Sequence, residues 1–262
     1  MERLLIIPIL LVGLHARIFE PPRPLLGPVP ETGAGWHADQ KSNELDRLVE
    51  QLKSQAPSER RGAAEQLGYL EDKRAVDPLM AALKDGNPDV RAAVADALGL
   101  LADKRAVDPL VGLLKDDVAF VRGAAARVLG QIADARAVEP LIAALKDENS
   151  TVRGAAAYGL GAIKDNRALG ELVLRVKDDA PDVRAAAATA LGDLRDRRAV
   201  EPLVAILKDE NRMVKLAAAL ALADIGDKRA LPALNDAVAV EKDEETKTQM
   251  KEALRRLTAT PD

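Results

Sequence analysis

The sequence predicts an all-α solenoid, a superhelix of about seven helical hairpins, each 31 residues long. Three observations predict it. Six blocks open on Asp at constant spacing, at Asp72, Asp103, Asp134, Asp165, Asp196 and Asp227, and a seventh, degenerate block begins at Lys41. Within each block apolar residues recur at helical period, and prolines sit only where a helix can begin. The composition, 48% hydrophobic but 2% aromatic, leaves alanine and leucine to build the core.

The N-terminus precedes this array. Residues Leu4 to Leu14 form an apolar run behind Arg3, too short for the roughly 20 residues of a bilayer span. The run resembles the h-region of a secretory signal peptide within residues 1–16, so export to the periplasm or cell exterior is expected. The competing reading is an apolar arm that docks on the first repeats of a cytoplasmic protein. No cysteine follows the run to carry a lipid anchor. Pro21, Pro22, Pro24, Pro28 and Pro30, then Gly33 and Gly35, exclude helix and sheet and mark a linker over 17–40. Trp36 and His37 lie in it, and a lone Trp there is expected to pack locally. The repeat domain is expected over 41–262.

Each block reads as two short amphipathic helices. Val76, Leu79, Met80 and Leu83 make one apolar face, with Pro78, Pro109, Pro140 and Pro202 near the helix start. A turn follows at Lys84-Asp85-Gly86-Asn87. Pro57, Pro88 and Pro181 then mark the first turn of a second helix, and Asn87 is its expected N-cap. That helix runs through Val90, Val94, Leu98 and Leu101. Alanine runs such as 124–126 and 185–188 suit close helix approach and carry the highest helix propensity. Helices this short are marginal alone, so stacking is obligatory. Alignment from Lys41 needs no insertion until a slip of one near Ala253-Leu254. The charged helix of the last block, with Asp243-Glu244-Glu245, Lys251 and Arg255, suits a solvated cap.

Asp85/Arg91 recurs as Asp116/Arg122, Asp147/Arg153, Asp178/Arg184 and Asp209/Lys215. Charges in register at this spacing predict a ladder of pairs within blocks and across to the next. Repetition in every block argues for a structural role, because an active site would occur once.

The strings R-A-V-[DE]-P-L, L-K-D-[ED] and V-R-x-A-A-A-x-A-L-G resemble the HEAT-like repeats of the phycobilisome-lyase type, the class from which consensus helical-repeat binding scaffolds are designed. The resemblance covers 41 to about 257. It implies the solenoid fold, but that family includes bilin lyases, a di-iron deoxyhypusine hydroxylase and many adaptors, so function does not follow from it. The block from Asp165 departs from the pattern, with Gly170-Glu171 in place of an acid and proline and Arg175 at a mostly apolar position.

The chain has two histidines, His15 and His37, both outside the repeats. The His-Glu pairs of the di-iron relatives are therefore absent, as are HExxH, CxxC, a phosphate-binding loop and an EF-hand loop. Acidic turns such as Asp178-Asp179 with Asp182 are explained by helix capping without a cation. No triad chemistry has a candidate, and no cofactor or metal is expected. A net charge of -4 with both signs interspersed argues against nucleic acid. These readings favour a non-catalytic protein-binding scaffold or assembly subunit, holding a protein partner within a larger complex. The alternative is a bilin-lyase-like subunit acting on a chromophore-bearing protein.

The expected binding face is a stripe on the second helices, spaced as Phe120, Gly123, Arg127 and Gln131. Its first position holds Asp89, Phe120, Thr151, Asp182 and Met213, and its third Asp96, Arg127, Tyr158, Thr189 and Leu220. Positions free of packing duty vary in any case, so diversity alone identifies nothing. Two of the few aromatics, Phe120 and Tyr158, nevertheless fall on adjacent repeats with Gly123 and Gly154 between them, and Met213, Leu216 and Leu220 extend the apolar surface. Second helices line the concave side in related stacks, so these residues are expected to form a groove for a protein segment, with Arg127 as a polar contact at the rim.

Overall fold

The structure, a computed structural model, describes residues 38–260. The apolar run, the proline-rich stretch, Trp36 and His37 lie outside the described residues. Among the described residues there are fourteen α-helices and no strand. They form seven hairpins: α1 (Ala38–Gln51) with α2 (Pro57–Tyr69), α3 (Val76–Ala82) with α4 (Pro88–Leu101), α5 (Val107–Leu113) with α6 (Ala119–Ile132), α7 (Val138–Ala144) with α8 (Ser150–Ile163), α9 (Leu169–Arg175) with α10 (Pro181–Leu194), α11 (Val200–Ala205) with α12 (Arg212–Ile225), and α13 (Leu231–Val240) with α14 (Glu244–Ala259). The first helix begins at Ala38, before the linker was expected to end.

The Asp that opens each block has a local reason. It caps a single 3-10 turn, as where the Asp72 carboxylate accepts from the Arg74 amide at 3.0 Å. The same cap recurs at Asp103, Asp134, Asp165, Asp196 and Asp227. Each turn then passes without a break into the first helix. Most second helices start on proline or on an asparagine cap, α6 having neither and α14 an aspartate: Asn87 accepts from the amides of Asp89 and Val90, and Asn149 and Asn211 cap their own helices. Most of them end on a residue in the left-handed region, Ala102, Ala133, Lys164, Arg195 or Gly226, which turns the chain into the next capping Asp.

Packing follows from two rows of residues. Leu79, Leu110, Leu141, Leu172 and Leu203 of the first helices and Leu67, Leu98, Leu129, Leu160, Leu191 and Leu222 of the second are fully buried. Successive second helices pack directly on one another, whereas successive first helices are bridged mainly by the 3-10 turns. Glycine makes the close side close. A Cβ on Gly161 would lie 2.8 Å from the Ala190 Cα, one on Gly192 2.8 Å from the Ala221 Cα, and one on Gly130 would strike the Gly159 Cα. Helices spaced more tightly on one side curve the stack toward it, so α2, α4, α6, α8, α10 and α12 line the concave face.

The slip in the last block is not near Ala253-Leu254. Helix α13 runs to Val240, and the cap of α14 is Asp243, one residue later than the asparagine caps require. The extra residue therefore precedes Glu241, where the longer α13 accommodates it.

Candidate functional site

The Asp/Arg series forms its ladder along the turn edge, and of the two expected pairings it makes the one across to the next block and not the one within a block. Each arginine reaches the carboxylate of the following block: Arg91 Nε to Asp116 at 2.7 Å, Arg122 Nε to Asp147 at 2.7 Å, Arg153 Nη2 to Asp178 at 2.6 Å and Arg184 Nε to Asp209 at 2.8 Å. Within its own block the arginine donates instead to a backbone carbonyl, as from Arg91 Nη1 to Asp85 O at 2.9 Å. The planar guanidinium thus ties two consecutive turns together. Two rungs lie outside the sequence series, Arg60 with Asp85 at 2.6 Å and Lys215 with Glu241.

Arg175, the departure in the fifth block, joins this ladder by donating to Asp178 at 3.4 Å. Burial pushes the Asp178 carboxyl up, but bonds from Arg153 and from the Ala180 amide outweigh it and hold the group at about 2. The neighbouring Glu171 accepts from Lys146 of the preceding repeat at 3.0 Å. Every member of this ladder is bound to protein groups, so it is a staple between repeats.

The concave stripe is a different kind of surface. Phe120 is 49% exposed, Tyr158 43% and Met213 38%, and Tyr69 at 46% and Leu100 at 55% stand on the same face. The last two occupy the fourth position of the stripe, equivalent to Gln131. Extending the spacing of Phe120 to Gln131 back into α2 and α4 would have found them. Leu174 and Val240, the other large exposed apolar side chains among the described residues, lie on α9 and α13.

Other expected members are placed differently. Leu216 is 3% exposed and belongs to the core, as its position in other repeats, held by Gly123, Gly154 and Ala185, is also buried. Leu220 is half-buried. Gly123 and Gly154 are screened from water, yet the direction of a Cβ at each is clear of every atom within 4 Å, so they leave a shallow notch between the larger side chains. Arg127 does not stand alone at a rim. It pairs with Asp96 of the preceding repeat, bridging α6 and α4.

Partial enclosure shows in the ionisable groups. Burial raises the Asp96 carboxyl above its ordinary range despite Arg127. Burial, with Asp224 nearby, raises Asp193 against the pull of Lys164 and Arg195. Burial and the charge of Asp182 raise the Tyr158 hydroxyl. Depressions in the surface are open ones, such as the volume of about 440 Å³ between α2 and α4 bounded by Ser58, Arg61, Glu65 and Asp89. Such a surface suits a macromolecular segment better than a small molecule, which prefers an enclosed apolar cavity. Among the described residues no helix is long and apolar enough to cross a membrane, and no group of three or more His, Cys, Asp or Glu side chains is arranged to hold a metal.

Hairpins stacked through a glycine seam, stapled along one edge and open along a concave face, define an α-solenoid of helical-hairpin repeats. The HEAT repeat model matches residues 45–125, 119–182 and 171–255, and the chain belongs to that family. Its repeats are HEAT-like, of the phycobilisome-lyase type. The complex of CpcE and CpcF of phycocyanin lyase from Nostoc sp. PCC7120 is similar at 27% identity, over 88% of this chain and 92% of that one, with a TM-score of 0.56. An engineered protein is similar at 26% identity over 83% and 97% of the two chains, with a TM-score of 0.50. A designed armadillo repeat protein, 23% identical over 82% and 99% with a TM-score of 0.51, shares the fold. A search of the curated proteins finds no significant match.

Proposed function

We propose that the protein is a non-catalytic scaffold whose concave face docks a segment of a partner protein, with Phe120, Tyr158 and Met213, joined by Tyr69 and Leu100, as the anchors. One observation carries the reading: these five exposed apolar side chains fall on a single stripe of the second helices. Single exposed apolar residues are ordinary, but a row of them on one curved face is the composition of an interface core. Gly123 and Gly154 leave room between anchors, and the Asp96–Arg127 pair fixes a polar group beside them. The test is a pull-down from native extract with wild-type protein, with Phe120→Ala/Tyr158→Ala, and with Asp108→Lys/Glu139→Lys on the outer helices. The expected result is a partner retained by wild type and by the outer variant and lost from the concave variant. The reverse pattern would move the site to the convex side.

The likeness to the phycocyanin lyase complex favours a second reading, a lyase-like subunit acting on a chromophore-bearing protein. Co-expression with phycocyanin apoprotein and its chromophore tests it, read as visible fluorescence that survives denaturing electrophoresis. Genes for such proteins beside this one would point the same way.

A further inference from the structure

The charges on the concave stripe have one predominant sign. Along α2 to α12 it carries Glu65, Asp89, Asp96, Asp182, Asp193 and Asp224 against Arg61 and Arg127. Arg61 bonds Glu65, Arg127 bonds Asp96, and Arg256 of α14 bonds Asp224. Asp89, Asp182 and Asp193 then stand exposed, with Arg61 near the first and Lys164 and Arg195 near the last. Two of these, Asp182 and Asp193, belong to α10, the helix directly beside the Tyr158 helix α8. The aromatic anchors are thus followed along the stack by exposed carboxylates.

We propose that the occupant of the concave face is a basic segment of a partner protein, with an arginine or lysine lying against the Tyr158 ring and pairing with Asp182, and an apolar residue covering Phe120. The proposal rests on the docking reading above and adds the chemical class of the partner. An aromatic face beside a carboxylate suits a cation twice over, through the ring quadrupole and through charge. An acidic partner would instead bring like charges together, which costs affinity and slows encounter.

The experiment uses the full chain and two labelled peptides of equal length. Both have leucine at every third position; the remaining positions alternate serine with arginine in one and serine with glutamate in the other. Fluorescence anisotropy should show saturable binding of the arginine peptide, weakened about tenfold by Phe120→Ala/Tyr158→Ala and about tenfold by Asp182→Asn/Asp193→Asn, and weakened by salt. The altered side chains are exposed, and unchanged melting confirms that the variants fold. Equal affinity for both peptides, or full affinity in the Asp→Asn variant, overturns the basic class while loss in the Phe/Tyr variant keeps the docking reading. No binding of the arginine peptide up to about millimolar concentration also overturns the class. Binding that survives both concave variants and is lost only in Asp108→Lys/Glu139→Lys overturns the docking reading as well.

Discussion

Gly130 of α6 meets Gly159 of α8 backbone to backbone, with no side chain between the two helices. The contact lies at the centre of the concave stack and sets how closely neighbouring repeats approach. Gly130→Ala should therefore force the helices apart and destabilise the fold by about 3 kcal/mol. Gly123 on the same helix is the control, because a Cβ there meets nothing within 4 Å. Gly123→Ala should raise stability by about 0.5–1 kcal/mol through helix propensity. Urea unfolding of both variants checks this. Equal effects of the two substitutions would show that the seam is not tight.

Arg153 and Asp178 form the most buried rung of the edge ladder, with the Asp178 side chain 2% exposed. Asp178→Asn should cost about 2 kcal/mol, since it removes the buried carboxylate shared by Arg153 and Arg175 and leaves Arg153 only the exposed Asp179 as a charge partner. The carboxyls of Asp72, Asp178 and Asp227 are all held at about 2, in Asp72 and Asp227 chiefly by the arginine two residues on. A carboxyl lower in the folded than in the unfolded chain adds stability above its unfolded pKa and loses it as pH falls through the folded one. Melting temperature should therefore drop as pH goes from about 4 to 2. The drop should be smaller in Asp178→Asn, and an unchanged slope in that variant would remove Asp178 from the acid response.

Much of the architecture is legible in the letters because the repeat forces it. Val76, Leu79 and Leu83 show the period of the first helix, Pro88 its partner's start, and the recurring Asp the length of the unit. What the letters did not show depends on geometry between blocks. The spacing of Asp85 and Arg91 fits pairing in either direction, and only the stacked turns decide that Arg91 passes over its own carboxylate to reach Asp116. The slip before Glu241 was misplaced because the apolar run 237–240 and the charged run 241–245 lack the repeat's own letters, which would have fixed the register. At the candidate site, Phe120 and Tyr158 were visible as aromatics out of place. Tyr69 and Leu100 lie in the same register as Gln131 and were equally within reach, but the stripe was followed only at its first and third positions. Leu216 failed because its position is buried in other repeats as well, where Gly123, Gly154 and Ala185 have no side chain long enough to show it.

Ala133 holds φ at 54°, in the region where a Cβ crowds the following carbonyl, and the equivalent Gly226 holds φ at 74° without that cost. Ala133→Gly should stabilise the protein by about 0.5 kcal/mol, the relief of strain exceeding the extra freedom gained by the unfolded chain. Gly226→Ala should do the opposite, with added contact at 3.4 Å from the Thr260 Cγ2. Thermal melts of the two variants should shift in opposite directions. A shift in the same direction for both would mean that the left-handed turns are not strained.

Deleting a whole repeat should be better tolerated than deleting half of one. Removal of 134–164 takes out α7 and α8 together and joins Ala133, in its left-handed turn, to Asp165, which caps the next 3-10 turn as Asp134 does. Arg122 then meets Asp178 in place of Asp147, and Gly130 takes the place of Gly161 against Ala190. Every contact type across the junction is restored. The shortened chain should stay helical, unfold cooperatively and melt within roughly 5 °C of the parent, because stability in a stack is a sum over neighbours. Removal of 134–149 instead takes α7 and the Asn149 cap but leaves α8. Val152, Ala156 and Leu160 lose the first helix that covers them, and Arg122 loses its carboxylate. That variant should lose its cooperative transition or aggregate. Circular dichroism melts of the two proteins decide the matter, and equal damage from both deletions would show that the 31-residue hairpin is not the unit in which this chain folds.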